Sequence, residues 1–122
     1  MSQESVQPAA VKQVAISVVD GAIQVKPDPV KVVQADTLVI FTLVTDGYHF
    51  PADDAIVLNT PHSDFPYEAW TTKPQQAALF DQRSADGDYE YTITVVDSAT
   101  GRSITLDPVI HNGEPSAMAV SA

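Results

Sequence analysis

The sequence predicts an all-β fold, and three observations carry that prediction. Residues 88–96 alternate strictly, with Tyr89, Tyr91, Ile93 and Val95 on one face and Asp88, Glu90, Thr92 and Thr94 on the other. A period of two over this length marks a half-buried antiparallel strand. Two extended runs, 11–19 and 22–25, flank Asp20-Gly21, a pair suited to the tight turn of a hairpin. No heptad, internal repeat or helical pattern longer than two turns interrupts the series.

Taken in order, residues 11–19 place Val14, Ile16 and Val18 on one face, and residues 22–25 return beside them. Pro27 and Pro29 stop the ladder, because proline has no N–H to donate. Val30, Val32 and Val33 begin a new run, and Ala35-Asp36 turns the chain. Residues 37–44 are apolar on both faces, as expected of a central strand covered above and below. Residues 45–75 read as irregular, with Gly47, Pro51, Pro61, Pro66 and Pro74 among the aromatics Tyr48, Phe50, Phe65, Tyr67 and Trp70. So long a stretch without clear strands is unusual in a compact domain. Short strands are expected at 55–58 and 76–80. After the strand at 88–96, a turn at 98–101 leads to 102–106, expected as the last strand. The domain is read as residues 11–113. Residues 1–10 and 114–122 have no period that seats them on a core, and are read as flexible tails.

The 122 residues fit one domain. A chain of this size buries roughly two thirds of its unfolded surface, so neither a metal nor a disulfide is needed for folding. It has no cysteine, which excludes disulfides, thiolate metal sites, iron–sulfur clusters and cysteine nucleophiles. Sixteen acidic residues against six basic ones give a formal charge of −10. Phosphate backbones and anionic membrane surfaces repel such a chain, which argues against nucleic acid and membrane as partners. The acids gather between 46 and 90, where Asp46, Asp53, Asp54, Asp64, Glu68, Asp81, Asp86, Asp88 and Glu90 face only Lys73 and Arg83. Two readings of that charge stand: solubility, or a site for a cation or a basic partner. The first ten residues lack the basic start and apolar core of an export signal, and no apolar run approaches the ~20 residues of a membrane helix. The sequence as written reads as cytoplasmic, with a periplasmic location open if an export signal has been removed.

The order of signals resembles the first half of a cupredoxin. Residues 23–27 read Ile-Gln-Val-Lys-Pro, followed by Val30-Lys31-Val32, Ala35-Asp36-Thr37, Val39, Phe41 and then His49. In that family a strand with a proline precedes valines, a Gly-Asp-Thr turn, a strand ending in an aromatic, and a loop with the first copper histidine. Phe80, Gly87, Tyr89 and Tyr91 are similar to the family's penultimate strand. The resemblance covers roughly residues 22–96. It also implies where copper ligands would fall: a cysteine at Ile93, a histidine at Val96 and a methionine soon after. None is present, the only methionines being Met1 and Met118. A blue copper site needs a thiolate and converging imidazoles, so the resemblance implies the sandwich without its copper. A second resemblance competes: Asp86, Gly87, Tyr89 and Tyr91 look like the start of strand F in immunoglobulin-like domains, where a tyrosine caps the preceding turn and Trp70 is available to fill a core. Both resemblances imply a Greek-key β-sandwich of two antiparallel or mixed sheets.

Candidate site residues are few. His49, in Asp46-Gly47-Tyr48-His49-Phe50-Pro51, is either a ligand contact at a loop edge or a histidine packed at a strand end. His49, His62 and His111, with Asp53, Asp54 and Asp64, are the residues from which a site for a divalent ion would be drawn, although no pair has tight ligand spacing. Residues 107–113 read as a docking edge with His111 exposed, or as a C-terminal plug that packs Val109 and Ile110 and covers a sheet edge. No nucleophile elbow, phosphate loop or dinucleotide fingerprint occurs.

The leading expectation is a non-catalytic binding or protein-interaction module that uses no cofactor. Its binding residues are read as Tyr48, His49, Phe50, Phe65, Tyr67 and Trp70, because long aromatic loops often carry recognition. The partner is an unknown protein or small ligand, and the sandwich edges leave a homodimer open. The alternative is a divalent-metal-binding protein using His49 with His62 or His111 and loop carboxylates. A small hydrolase ranks last.

Overall fold

A computed structural model describes residues 10–113. The tails expected at 1–10 and 114–122 lie outside the described residues, except Ala10, which begins the first strand. Eleven strands follow in order: β1 (Ala10–Val19), β2 (Ala22–Lys26), β3 (Val30–Val32), β4 (Thr37–Leu43), β5 (Tyr48–His49), β6 (Ile56–Leu58), β7 (Trp70–Lys73), β8 (Gln76–Asp81), β9 (Gly87–Asp97), β10 (Ser103–Leu106) and β11 (Val109–Asn112). They form two mixed sheets, an architecture compatible with a β-sandwich. The first runs β2-β1-β4-β8-β7; the second runs β10-β9-β11-β3, with β5 and β6 also paired to β9.

The local chemistry explains the main turns. Asp20 and Gly21 both take positive φ, 53° and 77°, as the hairpin turn between β1 and β2 requires. Pro27 and Pro29 end that ladder, and the chain leaves the first sheet: β2 pairs with β1, whereas β3 pairs in parallel with β11 of the second sheet. A second parallel pair, β1 with β4, holds the middle of the first sheet. In the second sheet β9 is the spine. On one side it carries β10 and β11, which keep a single register across the interruption at Asp107-Pro108. On the other side it carries β5 and β6.

The core fills the space between the sheets. Val14, Ile16, Val39, Phe41 and Leu79 of the first sheet meet Tyr91, Ile93, Val95, Ile110, Val30 and Val32 of the second, all buried. The alternation read at residues 88–96 holds, since Tyr91, Ile93 and Val95 are fully buried and Asp88 and Glu90 exposed.

Four expectations are corrected. β4 is central in its sheet but covered on one face only: Val39, Phe41 and Leu43 are buried, while Leu38, Ile40 and Thr42 are half-buried. Residues 45–75 hold two short strands, β5 and β7, besides the one expected at 55–58, and these are too short for a period to reveal. Residues 102–106 are not the last strand, because β11 follows and lies inside its sheet between β9 and β3. Trp70, offered as core filler, lies on the edge strand β7 with 44 % of its surface exposed.

Tyr91 is the largest fully buried side chain, its ring 5.6 Å from that of Phe41. Its hydroxyl has no hydrogen-bond partner among the described residues. Burial, with a smaller push from Asp28, raises its phenol well above the ordinary range. Ile93→Ala is expected to cost about 2–5 kcal/mol in denaturant titration, as other large-to-small core changes do. Tyr91→Phe is expected to leave stability unchanged or raise it, because it removes an unmatched buried hydroxyl and keeps the ring. A loss above about 1.5 kcal/mol for Tyr91→Phe would show that the hydroxyl has a partner.

Candidate functional site

On one flank of the molecule, beside the edge strand β6, lies an open cleft of about 340 Å³. Ile56, Val57 and Leu58 of β6 form one wall. The 59–69 connection forms the other, through Pro61, His62, Phe65, Pro66, Tyr67 and Ala69, and Leu79 lines the interior side. Asp54 and Glu68 are exposed residues of the lining, which contains no lysine or arginine. Asp54 takes a positive φ of 61°, a conformation that aspartate tolerates better than most residues.

The cleft keeps its shape because the connection is anchored in the protein. Asp64 is fully buried. Its Oδ1 accepts from the Ser84 hydroxyl and from Ser84 N–H at 3.0 Å; its Oδ2 accepts from Ala85 N–H and from Asn112 Nδ2, each at 3.3 Å. Its carbonyl accepts from Gln82 N–H at 2.7 Å. Burial by itself raises the pKa of Asp64, but these donors outweigh it and hold the carboxyl below its ordinary value. Asn112 also donates to Asp81 Oδ1 at 2.9 Å, so one buried amide bridges two buried carboxyl groups. Asp81 has fewer donors, and burial pushes it up to about 6. Among the described residues its Oδ2 and Asn112 Oδ1 are unmatched acceptors, and a proton on Asp81 turns one of them into a donor.

Aromatic packing completes the anchor. The His62 and Phe65 rings lie 4.6 Å and 5.2 Å from Tyr89. Asp64 N–H donates to His62 Nδ1 at 3.0 Å, which makes Nδ1 an acceptor and leaves the ring proton on Nε2. Tyr89 itself folds over Gly87: a Cβ there would stand 2.7 Å from the Tyr89 oxygen, so any larger residue would push the ring aside.

The six residues expected at the binding surface do not gather in one place. Phe65 and Tyr67 line the cleft, and Tyr67, 64 % exposed, also packs on Phe80 with ring centroids 6.1 Å apart. Trp70 follows on β7. Phe50 is buried in the core and offers nothing to solvent, a correction that follows from its packing between the sheets. Tyr48 and His49 form β5 and pair with Asp97 and Val96 at the far end of β9; His49 Nδ1 shares a hydrogen bond of 2.8 Å with Ser98 Oγ.

The three histidines are not brought together. His49 pairs with Val96 and His111 with Asp88, which separates them by roughly 25 Å of strand. His111 bonds Asp88 instead, beside a shallower depression lined by Asp28, Pro29, Lys31 and Val109. Among the described residues no three metal-ligating side chains converge. Sequence reasoning expected the strand at 55–58 but not that it walls a cleft, and it missed that Asp64, Asp81 and Asn112 are interior. Nothing in a local pattern marks Asp64 as buried when its side-chain partners lie 20 to 48 positions away.

The two carboxyl groups give opposite pH dependences. Asp64 is depressed in the folded state, so its contribution is present above its ordinary value of 3.8 and is lost as pH falls below it. Asp81 is raised from 3.8 to about 6, so its contribution is present below 3.8 and is lost as pH rises through 6. Between about pH 4 and pH 7 the protein is expected to lose roughly 1–3 kcal/mol relative to its Asp81→Asn variant, followed by urea unfolding across that range. Parallel curves for the two proteins would remove Asp81 as the source. No protein-family model and no curated protein matches this sequence, so the geometry carries the functional reading.

Proposed function

We propose that the chain is a non-catalytic binding module on a copper-free, cupredoxin-like Greek-key sandwich, and that its ligand occupies the flank cleft. The observation that carries this reading is a cleft that is already formed. Its wall residues are apolar or aromatic, its polar groups are few, and the connection that shapes it is fastened by the donors to Asp64. Small-molecule and peptide sites usually take this form. His62 is a poor general base there, because its Nδ1 is already occupied by Asp64 N–H.

The cupredoxin-like part of the reading draws support from β5 and β9. His49 stands directly across from Val96, the position that the resemblance gives to a second copper histidine. Ile93, the position of the thiolate, is fully buried. Apolar side chains thus stand where ligands would, and His49 is bonded to Ser98. The immunoglobulin-like alternative has less support. Tyr91 has no partner for its hydroxyl among the described residues, and the Tyr89 hydroxyl is within reach of His62 rather than of a backbone carbonyl.

Amide chemical-shift mapping with a library of small amphipathic compounds tests the site. Perturbations are expected to cluster on Val57, Leu58, Tyr67 and Glu68. For compounds that bind, Tyr67→Ala is expected to weaken binding about tenfold with little change in melting temperature, because the ring is mostly exposed. Phe65→Ala is expected to lower both, since Phe65 packs against the core and Tyr89. Perturbations confined to Lys31, Asp88 and His111 would move the site to the other depression.

A further inference from the structure

β6 is an open edge inside the cleft. Thr94 N–H donates to Ala55 O at 2.8 Å and Asn59 N–H donates to Glu90 O at 3.0 Å. With Val57 opposite Thr92, these bonds turn the backbone of residues 55, 57 and 59 toward β9. The N–H and C=O groups of Ile56 and Leu58 therefore point the other way, toward the cleft. Among the described residues no strand pairs with that side of β6, and no hydrogen bond reaches those groups. Buried or half-buried backbone groups are nearly always matched, so this edge is suited to a partner with its own donors and acceptors.

We propose that the cleft takes an extended basic peptide segment, which adds to the free edge of β6 as a further strand. This rests on the cleft being the binding site. Three features select the occupant. The edge supplies alternating backbone donors and acceptors, the recognition mode of strand addition. The apolar wall, with Leu58, Phe65 and Leu79, receives every second side chain of a strand. The charged lining residues are Asp54 and Glu68, with Asp53 exposed beside them and no cation in the lining, so lysine or arginine in the segment meets opposite charge. A second copy of this chain fits poorly, because pairing β6 with its own copy would set the same carboxylates against each other. β6 spans only three residues, roughly 10 Å, which limits the addition to one short segment.

The test selects random dodecapeptides displayed on phage against the full chain and measures the enriched sequences as synthetic peptides. Enriched peptides are expected to alternate apolar residues and to carry Lys or Arg. Leu58→Pro deletes the N–H that faces the cleft without removing a bond to β9; Leu58→Ala removes a comparable side chain and keeps the N–H. Leu58→Pro is expected to weaken binding at least about tenfold beyond Leu58→Ala. Glu68→Lys is expected to weaken it at least about fivefold at low salt. In the unaltered protein, peptide addition is expected to slow exchange of the Leu58 amide proton, a measurement that stands even if Leu58→Pro does not fold. If peptides bind and Tyr67→Ala weakens them, but the Leu58 amide is not protected and proline and alanine at 58 act alike, strand addition is wrong and the cleft reading survives. If no peptide is enriched, strand addition is wrong and the compound mapping decides the cleft separately. If peptides bind but ignore both Tyr67→Ala and Leu58→Pro, both readings fall.

Discussion

The burial of the Asp64 carboxylate constrains more of this structure than any other single feature. A carboxylate removed from water is costly unless donors replace its hydration. Here the donors come from the β8–β9 connection and from β11, elements that are distant in sequence. Asp64 therefore ties a long surface connection to two places on the scaffold at once. Asn112 extends the tie to Asp81 at the end of β8. Arg83, two residues on, donates to Asp86 at 3.2 Å and to the Gly113 carbonyl. The far wall of the cleft is fixed by this network, whereas the near wall is fixed by the ladder of β6 on β9.

Apolar packing and polar fastening occupy different regions. Along β9 the residues from Tyr91 to Val95 are held by the close-packed core, where alternate side chains are excluded from water. Toward Gly87 the same strand meets the polar network and the rings of His62 and Phe65 packed against Tyr89, one tilted and one edge-on. Burial, reinforced by Asp64, Asp81, Asp86 and Asp88, pushes the Tyr89 phenol up, so it stays neutral at that end. The apolar half supplies most of the favourable burial. The polar half gives the 59–69 connection one conformation, since each buried group has a limited set of partners that satisfy it.

The surface charge fits the arrangement of edges. A chain of net charge −10 resists association with copies of itself over most of its surface. An unpaired strand edge is a liability in a neutral protein, because it templates pairing with any other edge. At β6 the exposed edge is short and bordered by Asp53, Asp54 and Glu68. Such a border is compatible with a basic segment and unfavourable for an acidic one.

The sequence by itself determined the all-β class, the β1–β2 hairpin, the proline break after Lys26 and the inward face of β9. Each of these is local: a period of two, a turn pair or a missing N–H acts over a few residues, whatever the rest of the chain does. It also determined that no thiolate site can exist, because that follows from composition. The tertiary structure decided which aromatics are surface and which are core. Phe50 and Tyr67 look alike in an irregular stretch, yet one is 2 % and the other 64 % exposed. It decided that β5 and β7 are strands, because elements of two to four residues exist only by pairing with longer neighbours. It decided that Asp64, Asp81 and Asn112 share one buried site, and that the three histidines do not. Convergence of residues many positions apart is set by sheet order and register, and those depend on how the whole chain buries its apolar faces at once.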